Sequence, residues 1–447
     1  MKRLIDWHLM RWKNSKTRKS LLLRGARQVG KTYAIRKLGK SFENCIEVNF
    51  EITKELKAVF HKNLDPKRIV KALSVAVNEP IIPGKTLLFF DEVQECPEVI
   101  TALRYFYEMM PDLHVIAAGS LLDFAIEKVG MPVGRVSSLQ VFPLSFVEFL
   151  LAKKESMLVH ALLDHKTAEP FFEVLHNKLL DLIGEYFAIG GMPEAIIKWL
   201  DFNDPKECFQ VHFDIANSYR QDFEKYAKRH EIKYMEELFR QIPHFVGQQF
   251  QYKNLPGDMR KRDLAPCMDL LEKAGVIRRI YHTSAQGLPI GSGMNLNWFK
   301  AMYLDIALCQ TQLGLDLRTW FLDPGREFVN RGMIAEAFVG MEMLAYTSPI
   351  KTPQLYYWRR AERSSSSEID YVIEHERMII PVEVKSGTKG TLKSMNLFLE
   401  KHSHSPFGVQ FSQNNFSEMG KIRNYPLYSM LLFADEDQLE AIMASLS

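Results

Sequence analysis

The sequence has little of what marks a secreted, zinc-binding or membrane protein. Its five cysteines are scattered, and no two have the spacing of a zinc knuckle or a redox motif. This scarcity predicts a reducing compartment and argues against a structural zinc. The chain also lacks any run approaching the roughly 20 apolar residues of a membrane span, and its N-terminus lacks the apolar core of a signal peptide. We therefore expect a cytoplasmic protein without a membrane partner.

An excess of charge of either sign is also missing. The formal net charge is +3 over 447 residues, so charge alone does not identify a nucleic-acid-binding protein, and such a role requires a local basic patch. Hydrophobic residues at 47% and charged residues at 25% are typical of a folded soluble protein. Because a single core rarely serves more than about 250–300 residues, we expect several domains.

The strongest motif follows a short apolar strand. Residues 21–32 read LLLRGARQVGKT, which ends in G-x-x-x-x-G-K-S/T, the phosphate-binding P-loop. Gly25 and Gly30 let the backbone turn its N–H groups toward a phosphate, and the helix that follows directs its positive end at the same anion. Lys31 would neutralise the β- and γ-phosphates of ATP, and the Thr32 hydroxyl would bind Mg²⁺. The predicted nucleotide-binding residues are Gly25, Ala26, Arg27, Gln28, Val29, Gly30, Lys31 and Thr32.

An acidic pair ends a second apolar strand. Thr86–Phe90 reads TLLFF, which is typical of a buried parallel strand, and Asp91 and Glu92 follow it directly. In a P-loop fold Asp91 would hold Mg²⁺ through water, and Glu92 would activate the water that attacks the γ-phosphate. A further apolar strand, His114–Ala118, is followed closely by Ser120. Ser120 would sense the γ-phosphate or the attacking water, or else it is an ordinary turn residue.

A basic residue and a helical stretch complete the first domain. Arg135 follows a glycine and has two interpretations, an arginine finger acting in cis or on a neighbouring subunit, and a surface salt bridge. Ser145 and Glu148 form an S-x-x-E capping box that opens a helix. The pattern stays helical to about residue 200, which indicates a small lid, and Gly190–Pro193 interrupts it as a structural turn under the nucleotide or lid.

These motifs together resemble a known family. RGARQVGKT at 24–32, the acidic pair, AGS at 118–120, GR at 134–135, FPLSFVEF at 142–149 and GGMPEA at 190–195 are similar to a group of prokaryotic AAA-type ATPases with a C-terminal domain of unknown function. The resemblance covers nearly the whole chain. It implies an AAA-type ATPase domain at residues 1–205, with ATP and Mg²⁺ as cofactors. Because AAA-type relatives commonly assemble, the resemblance also implies that copies of this chain form a homo-oligomer.

Residues 206–312 are predicted to form a winged helix. Helical spacing at 231–242 and 264–275 precedes two alternating strands, 276–283 and 297–304, which flank a tip rich in glycine, serine and proline. A group of basic residues would suit a DNA backbone, but acids interleave with it, and winged helices attached to ATPases often serve interaction with a protein client instead. The basic residues are Arg260, Lys261, Arg262, Arg278 and Arg279, and the acids are Asp258, Asp263, Asp269 and Glu272.

Residues 313–447 resemble the PD-(D/E)XK nuclease core in their order of helix, three strands, helix and strand. The matching residues are Glu336, Asp370, Glu383 and Lys385. If a hairpin turns at residues 376–377, Asp370 lies opposite Glu383, and strand alternation places Lys385 on the same face. These groups would hold Mg²⁺ and position a hydroxide for phosphodiester cleavage. An ordinary charged hairpin, or a register shifted by one residue, is the alternative.

The sequence therefore predicts an α/β protein with three parts: an AAA-type P-loop domain with a helical lid, a winged helix and a PD-(D/E)XK-like domain. The main hypothesis is a Mg²⁺-dependent ATPase whose nucleotide cycle regulates or drives the C-terminal module. The two alternatives are an ATP-regulated DNA endonuclease, using Asp370, Glu383 and Lys385, and a nucleotide-dependent switch with little turnover.

Overall fold

Two β-sheets organise the computed structural model, which describes residues 1–61, 63–257, 259–314, 332–360, 367–386 and 392–446. The first sheet belongs to the N-terminal part and the second to the rest of the chain. Among the helices of these ranges, none combines the length and apolar character that a membrane span requires. Asp258, one of the acids named above, lies outside the described residues.

The first sheet has five parallel strands in the order β2-β3-β4-β1-β5. Its strands are β1 Ser20–Arg24, β2 Asn44–Asn49, β3 Thr86–Asp91, β4 His114–Ala118 and β5 Val136–Gln140. Its helices are α1 Leu4–Asn14, α2 Lys31–Gly39, α3 Ala58–His61, α4 Pro66–Val77, α5 Glu98–Met109 and α6 Leu122–Val129. β3 and β4 are buried along their whole length, which confirms the interpretation of their continuous apolar runs. The carboxyl ends of β1, β3 and β4 consequently meet at one edge of the sheet.

A helical segment follows the first sheet. Its helices are α7 Phe146–Ala152, α8 Ser156–Leu163, α9 Glu173–Ile189, α10 Pro193–Phe202 and α11 Pro205–Tyr226. The predicted capping box is confirmed, because Glu148 N donates to Ser145 Oγ at 3.3 Å and Ser145 N donates to Glu148 Oε2 at 2.8 Å. The turn predicted at Gly190–Pro193 separates α9 from α10, so it sets the position of α10.

The second sheet has eight strands in the order β12-β13-β11-β10-β9-β8-β6-β7. Its strands are β6 Ile277–Thr283, β7 Met294–Tyr303, β8 Leu355–Arg359, β9 Glu368–His375, β10 Met378–Val384, β11 Gly408–Ser412, β12 Ser417–Met419 and β13 Ile422–Pro426. Its helices are α12 Ile232–Gln241, α13 Lys261–Lys273, α14 Ile306–Gln312, α15 Gly332–Ala345, α16 Lys393–Lys401 and α17 Glu436–Leu446. The order of α15, three strands, α16 and β11 matches the order predicted for the last third.

The predicted middle and C-terminal parts share this second sheet. The helices α12 and α13 and the hairpin β6–β7 are present where a winged helix was predicted. However, β6 also pairs in parallel with β8, at Ile280 with Leu355 and Tyr281 with Tyr356. The predicted boundary after residue 312 therefore falls between strands of one sheet. Assignment of these parts to a winged helix and to the nuclease core stays a prediction.

The second sheet also reaches the P-loop through a close contact. Gly275, between α13 and β6, has a φ of +75°, and a Cβ added there would lie 3.2 Å from Ala26 Cβ. A larger residue at Gly275 would therefore press on the P-loop.

Candidate functional site

The P-loop has the backbone geometry that its glycines permit. Gly25 has a φ of +146° and Gly30 a φ of +94°, both in the region that favours glycine. A Cβ at Gly25 would lie 2.3 Å from the carbonyl oxygen of Val141, so only glycine fits there. Gly30 is the N-cap of α2, whose first turn therefore directs its free N–H groups at the space above the loop.

A cavity of about 480 Å³ opens above the loop, and most of the predicted nucleotide-site residues line it. The structure brings Lys31, Thr32, Asp91, Glu92 and Ser120 together in its wall, although they come from three separate strand ends. Arg27, Gln28 and Gly30 also line it, whereas Ala26 and Val29 are buried in the loop beneath. The residues that sequence reasoning missed are Met1, Arg3, Tyr33, Pro193, Glu194 and Ile197.

Lys31 is buried at the floor of the cavity. Its Nζ donates hydrogen bonds to the carbonyl oxygens of Gly25 and Ala26 at 2.9 and 2.7 Å. Burial lowers the pKa of Lys31 to about 8, against the opposing effect of the Glu92 and Asp91 charges. The ammonium is therefore held beside the anion-binding N–H groups of the loop, where a phosphate would meet it.

The predicted magnesium ligands are adjacent. Thr32 Oγ1 donates to Asp91 Oδ2 at 3.1 Å, and Asn49 Nδ2 lies 3.4 Å from the same oxygen. Burial, helped by the charge of Glu92, raises the pKa of Asp91 to about 6. A hydroxyl and a carboxylate are hard oxygen donors that fit Mg²⁺, which usually takes only one or two carboxylates beside substrate phosphates. Within the described residues no group of three or more His, Cys, Asp or Glu is arranged to hold a metal ion.

Glu92 has a partner that the sequence did not reveal. Its backbone is left-handed, with a φ of 52°, and its Oε2 accepts a hydrogen bond from Gln94 Nε2 at 2.5 Å. A Cβ added at Gly119 would lie 2.2 Å from Gln94 Oε1, so glycine before Ser120 leaves room for this amide. Gln94 thus lies between Glu92 and the end of β4 and fixes the direction of the carboxylate.

Two predicted arginines have different surroundings. Arg27 Nη1 contacts both carboxylate oxygens of Asp222 on α11 at 2.8 and 2.7 Å, and Tyr219 Oη donates to the Arg27 carbonyl. Arg27 therefore joins the P-loop to α11. Arg135 is half-exposed, does not line the cavity and pairs with Glu108 on α5 at 2.8 Å. This pair is the surface salt bridge named above as one interpretation of Arg135, and the action of Arg135 as an arginine finger, in cis or on a neighbouring subunit, stays a prediction.

Arg3 supports the loop from the N-terminal side. Its buried guanidinium pairs with the buried carboxylate of Glu148 at 2.8 Å and donates to the carbonyl oxygens of Val29 and Phe142. Leu4 N donates to the same Glu148 oxygen at 2.7 Å. One ion pair therefore connects α1, the P-loop and the capping box of α7.

Arg3→Ala should lower the free energy of unfolding by about 3–5 kcal/mol, because it leaves the buried Glu148 carboxylate without its cation. Urea unfolding of the full chain measures this change. Arg11→Ala is the matched control on the same helix, since Arg11 is exposed and its pair with Asp437 is worth about 0–1 kcal/mol. Equal losses in both variants would contradict the assigned role of Arg3.

The C-terminal residues predicted from the sequence also converge. The β9–β10 hairpin turns at Glu376 and Arg377, both with positive φ, and pairs Tyr371 with Val382, so the predicted register is confirmed. The next residues along, Asp370 and Glu383, therefore face each other. Lys385 Nζ lies 2.5 Å from Glu383 Oε1, and Asp370 Oδ2 accepts a hydrogen bond from Val384 N.

A lysine from the middle of the chain enters this group. Lys300 on β7 is completely buried, and its Nζ lies 2.9 Å from Glu336 Oε1, 2.6 Å from Glu368 Oε1 and 3.7 Å from Asp370 Oδ1. Burial raises the pKa of Glu336 above its usual range, and the Lys300 charge opposes that rise. We refer to Lys300, Glu336, Glu368, Asp370, Glu383 and Lys385 as the ion cluster.

The basic residues predicted to meet DNA are partly neutralised. Arg279 pairs with Asp269 and lies 3.5 Å from Glu272, and Arg262 lies 3.7 Å from Asp263. Arg278 packs over the ring of Phe142, with its guanidinium carbon 5.9 Å from the ring centre. Arg278 and Arg279 are therefore engaged within the protein, and DNA binding by this segment stays a prediction.

Comparison with known proteins supports an AAA-type fold for the N-terminal part of the chain. Residues 17–150 match the model of a family described as an AAA domain, and residues 180–319 and 331–430 match two models described as domains of unknown function. No curated protein matches the chain. Residues 17–150 contain the P-loop and the parallel sheet, and they form an AAA-type ATPase-like domain.

Solved structures offer distant similarity. The Walker-type ATPase PABY2304 of Pyrococcus abyssi is 16% identical, with a TM-score of 0.43, over 69% of this chain and 95% of its own. The Aeropyrum pernix ORC1 protein in complex with DNA is 12% identical, with a TM-score of 0.26, over 71% and 92%. The Aeropyrum pernix ORC2 protein is 9% identical, with a TM-score of 0.31, over 68% and 88%. TM-scores this low carry no information on function.

Proposed function

We propose that this protein is a Mg²⁺-dependent ATPase of AAA type. The observation that carries the proposal is the convergence of Lys31, Thr32, Asp91, Glu92 and Ser120 on one cavity at the carboxyl edge of the parallel sheet. These groups supply what phosphoryl transfer to water needs: a cation for the phosphates, oxygen donors for a metal, a base and a polar sensor.

Each side chain has a stated role in hydrolysis. Lys31 neutralises the β- and γ-phosphates, and Thr32 and Asp91 would hold Mg²⁺, which would neutralise charge on the same phosphates. Glu92 takes the proton of the attacking water, in the orientation that Gln94 sets. Ser120, which lines the same cavity, hydrogen-bonds the γ-phosphate or that water.

Contacts between the cavity and the second sheet support action of the nucleotide cycle on the C-terminal module. Pro193 lines the cavity beside Gly30, whose added Cβ would lie 3.5 Å from the proline ring. In the same turn Gly191 N donates to Asp305 Oδ2 at 2.6 Å, and Asp305 follows β7. Movement of α10 around a bound nucleotide would therefore reach the edge of the second sheet.

Calorimetry on the full chain with ATP, with and without Mg²⁺, tests the proposal together with an assay of phosphate release. We expect Mg²⁺ to strengthen ATP binding, and turnover with a KM between about 1 µM and 1 mM. Tight binding without phosphate release would favour the nucleotide-dependent switch. A folded protein that takes up no nucleotide would overturn both.

A further inference from the structure

Lys300 occupies the centre of the ion cluster. Its ammonium contacts carboxylates from α15 and β9, and its Nζ lies 5.2 Å from the centre of the Tyr357 ring. The backbone of Lys300 is paired on both sides, with Ile280 of β6 and with Gln249. The side chain is therefore enclosed, and its attachment point is fixed by hydrogen-bonded neighbours.

We propose that the Lys300 ammonium takes the cation position of the ion cluster, so that Glu336, Asp370 and Glu383 do not form a magnesium site. The PD-(D/E)XK resemblance implies such a site, and the residues present do not fit it. The ion cluster is then a structural feature of the C-terminal module, which has no metal-dependent nuclease activity. This inference is independent of the proposed ATPase function.

One oxygen of each carboxylate in the cluster is already engaged. Glu336 Oε1 and Glu368 Oε1 receive the Lys300 ammonium, Asp370 Oδ2 receives Val384 N, and Glu383 Oε1 receives Lys385. Glu383 Oε2 is buried and has no hydrogen-bond partner within the described residues. Lys300 already holds the position between Glu336, Glu368 and Asp370 that a cation would take. Within the described residues, which include the whole cluster, no group of three or more His, Cys, Asp or Glu is arranged to hold a metal ion.

The cluster has a structural role instead. Lys300, Glu336 and Glu368 belong to three segments that are distant in sequence, and their ion pairs join β7 to α15 and β9. Buried ion pairs are costly to break, because removal of one partner leaves the other charged and desolvated. Lys300 thereby fixes the edge of the sheet against its covering helix without a metal.

Mn²⁺ binding to the full chain tests the proposal. Asp91→Asn serves as the background, because it removes the competing metal position beside the P-loop. We expect calorimetry to detect no Mn²⁺ binding that depends on Asp370. Lys300→Met in the same background should bind Mn²⁺ about tenfold or more tightly than the Asp91→Asn protein does, because the freed carboxylates then attract a cation. A folded Lys300→Met protein that gains no affinity would overturn the proposal.

A second measurement avoids the risk that Lys300→Met fails to fold. Supercoiled plasmid is incubated with Mg²⁺ or Mn²⁺ and either the wild type or Asp370→Ala, and nicking is followed over time. We expect both proteins to leave the plasmid equally intact. Nicking by the wild type that Asp370→Ala removes would show a metal-dependent nuclease site and overturn the proposal.

Discussion

Lys31→Ala is expected to weaken the binding of ATP with Mg²⁺ by about 2–5 kcal/mol, roughly 30- to 5,000-fold. Lys31 is buried beside the N-terminus of α2, so its charge acts on the phosphates with little screening by water. Removal of the side chain leaves the β- and γ-phosphates without their nearest cation. Calorimetric titration of ATP into the full chain measures the loss.

Two controls separate the charge of Lys31 from its effect on folding. Lys40→Ala removes an exposed lysine that ends the same helix, and it should bind ATP like the wild type. The wild-type affinity should stay nearly constant between the Asp91 pKa of about 6 and the Lys31 pKa of about 8, and decline above it, because only the charged ammonium attracts phosphate. This decline should be absent in Lys31→Ala. Unchanged affinity in Lys31→Ala would refute the assigned phosphate site.

The convergence of the predicted residues on one cavity above the P-loop was largely predictable because its signals are local. A P-loop, an acidic pair after TLLFF and a serine after HVIAA each depend on a few consecutive residues. Parallel strands then bring their carboxyl ends to one edge. The β9–β10 register was predictable only on the condition that the hairpin turns at Glu376 and Arg377, because that two-residue turn determines every pair that follows.

The remaining contacts depend on pairings between distant segments. Arg3 meets Glu148 across 145 residues, and Lys300 meets Glu336 across 36. No spacing rule connects such positions, and no local sequence pattern indicated the pairing of β6 with β8. One signal was present for Lys300, because it lies within the apolar run FKAMY. A lysine whose strand neighbours on both sides are buried needs a buried anionic partner.

Glu92→Gln is expected to lower the rate of ATP hydrolysis by about 10²–10⁴-fold while ATP binding changes by only a few-fold. Glutamine has nearly the same shape, and its carbonyl oxygen still accepts the hydrogen bond from Gln94, so the local geometry persists. Only the capacity to take a proton from water is lost. Single-turnover phosphate release measures the rate, and calorimetry measures the binding.

Glu95→Gln is the matched control, because Glu95 lies in the same short turn but faces outward in a 3.0 Å pair with Lys57. It should hydrolyse ATP at the wild-type rate. Hydrolysis that survives in Glu92→Gln would place the base elsewhere and contradict the assigned role. If wild type and Glu92→Gln bind ATP equally and neither releases phosphate, the cavity serves a nucleotide-dependent switch, because binding then needs only the groups that Glu92→Gln leaves intact.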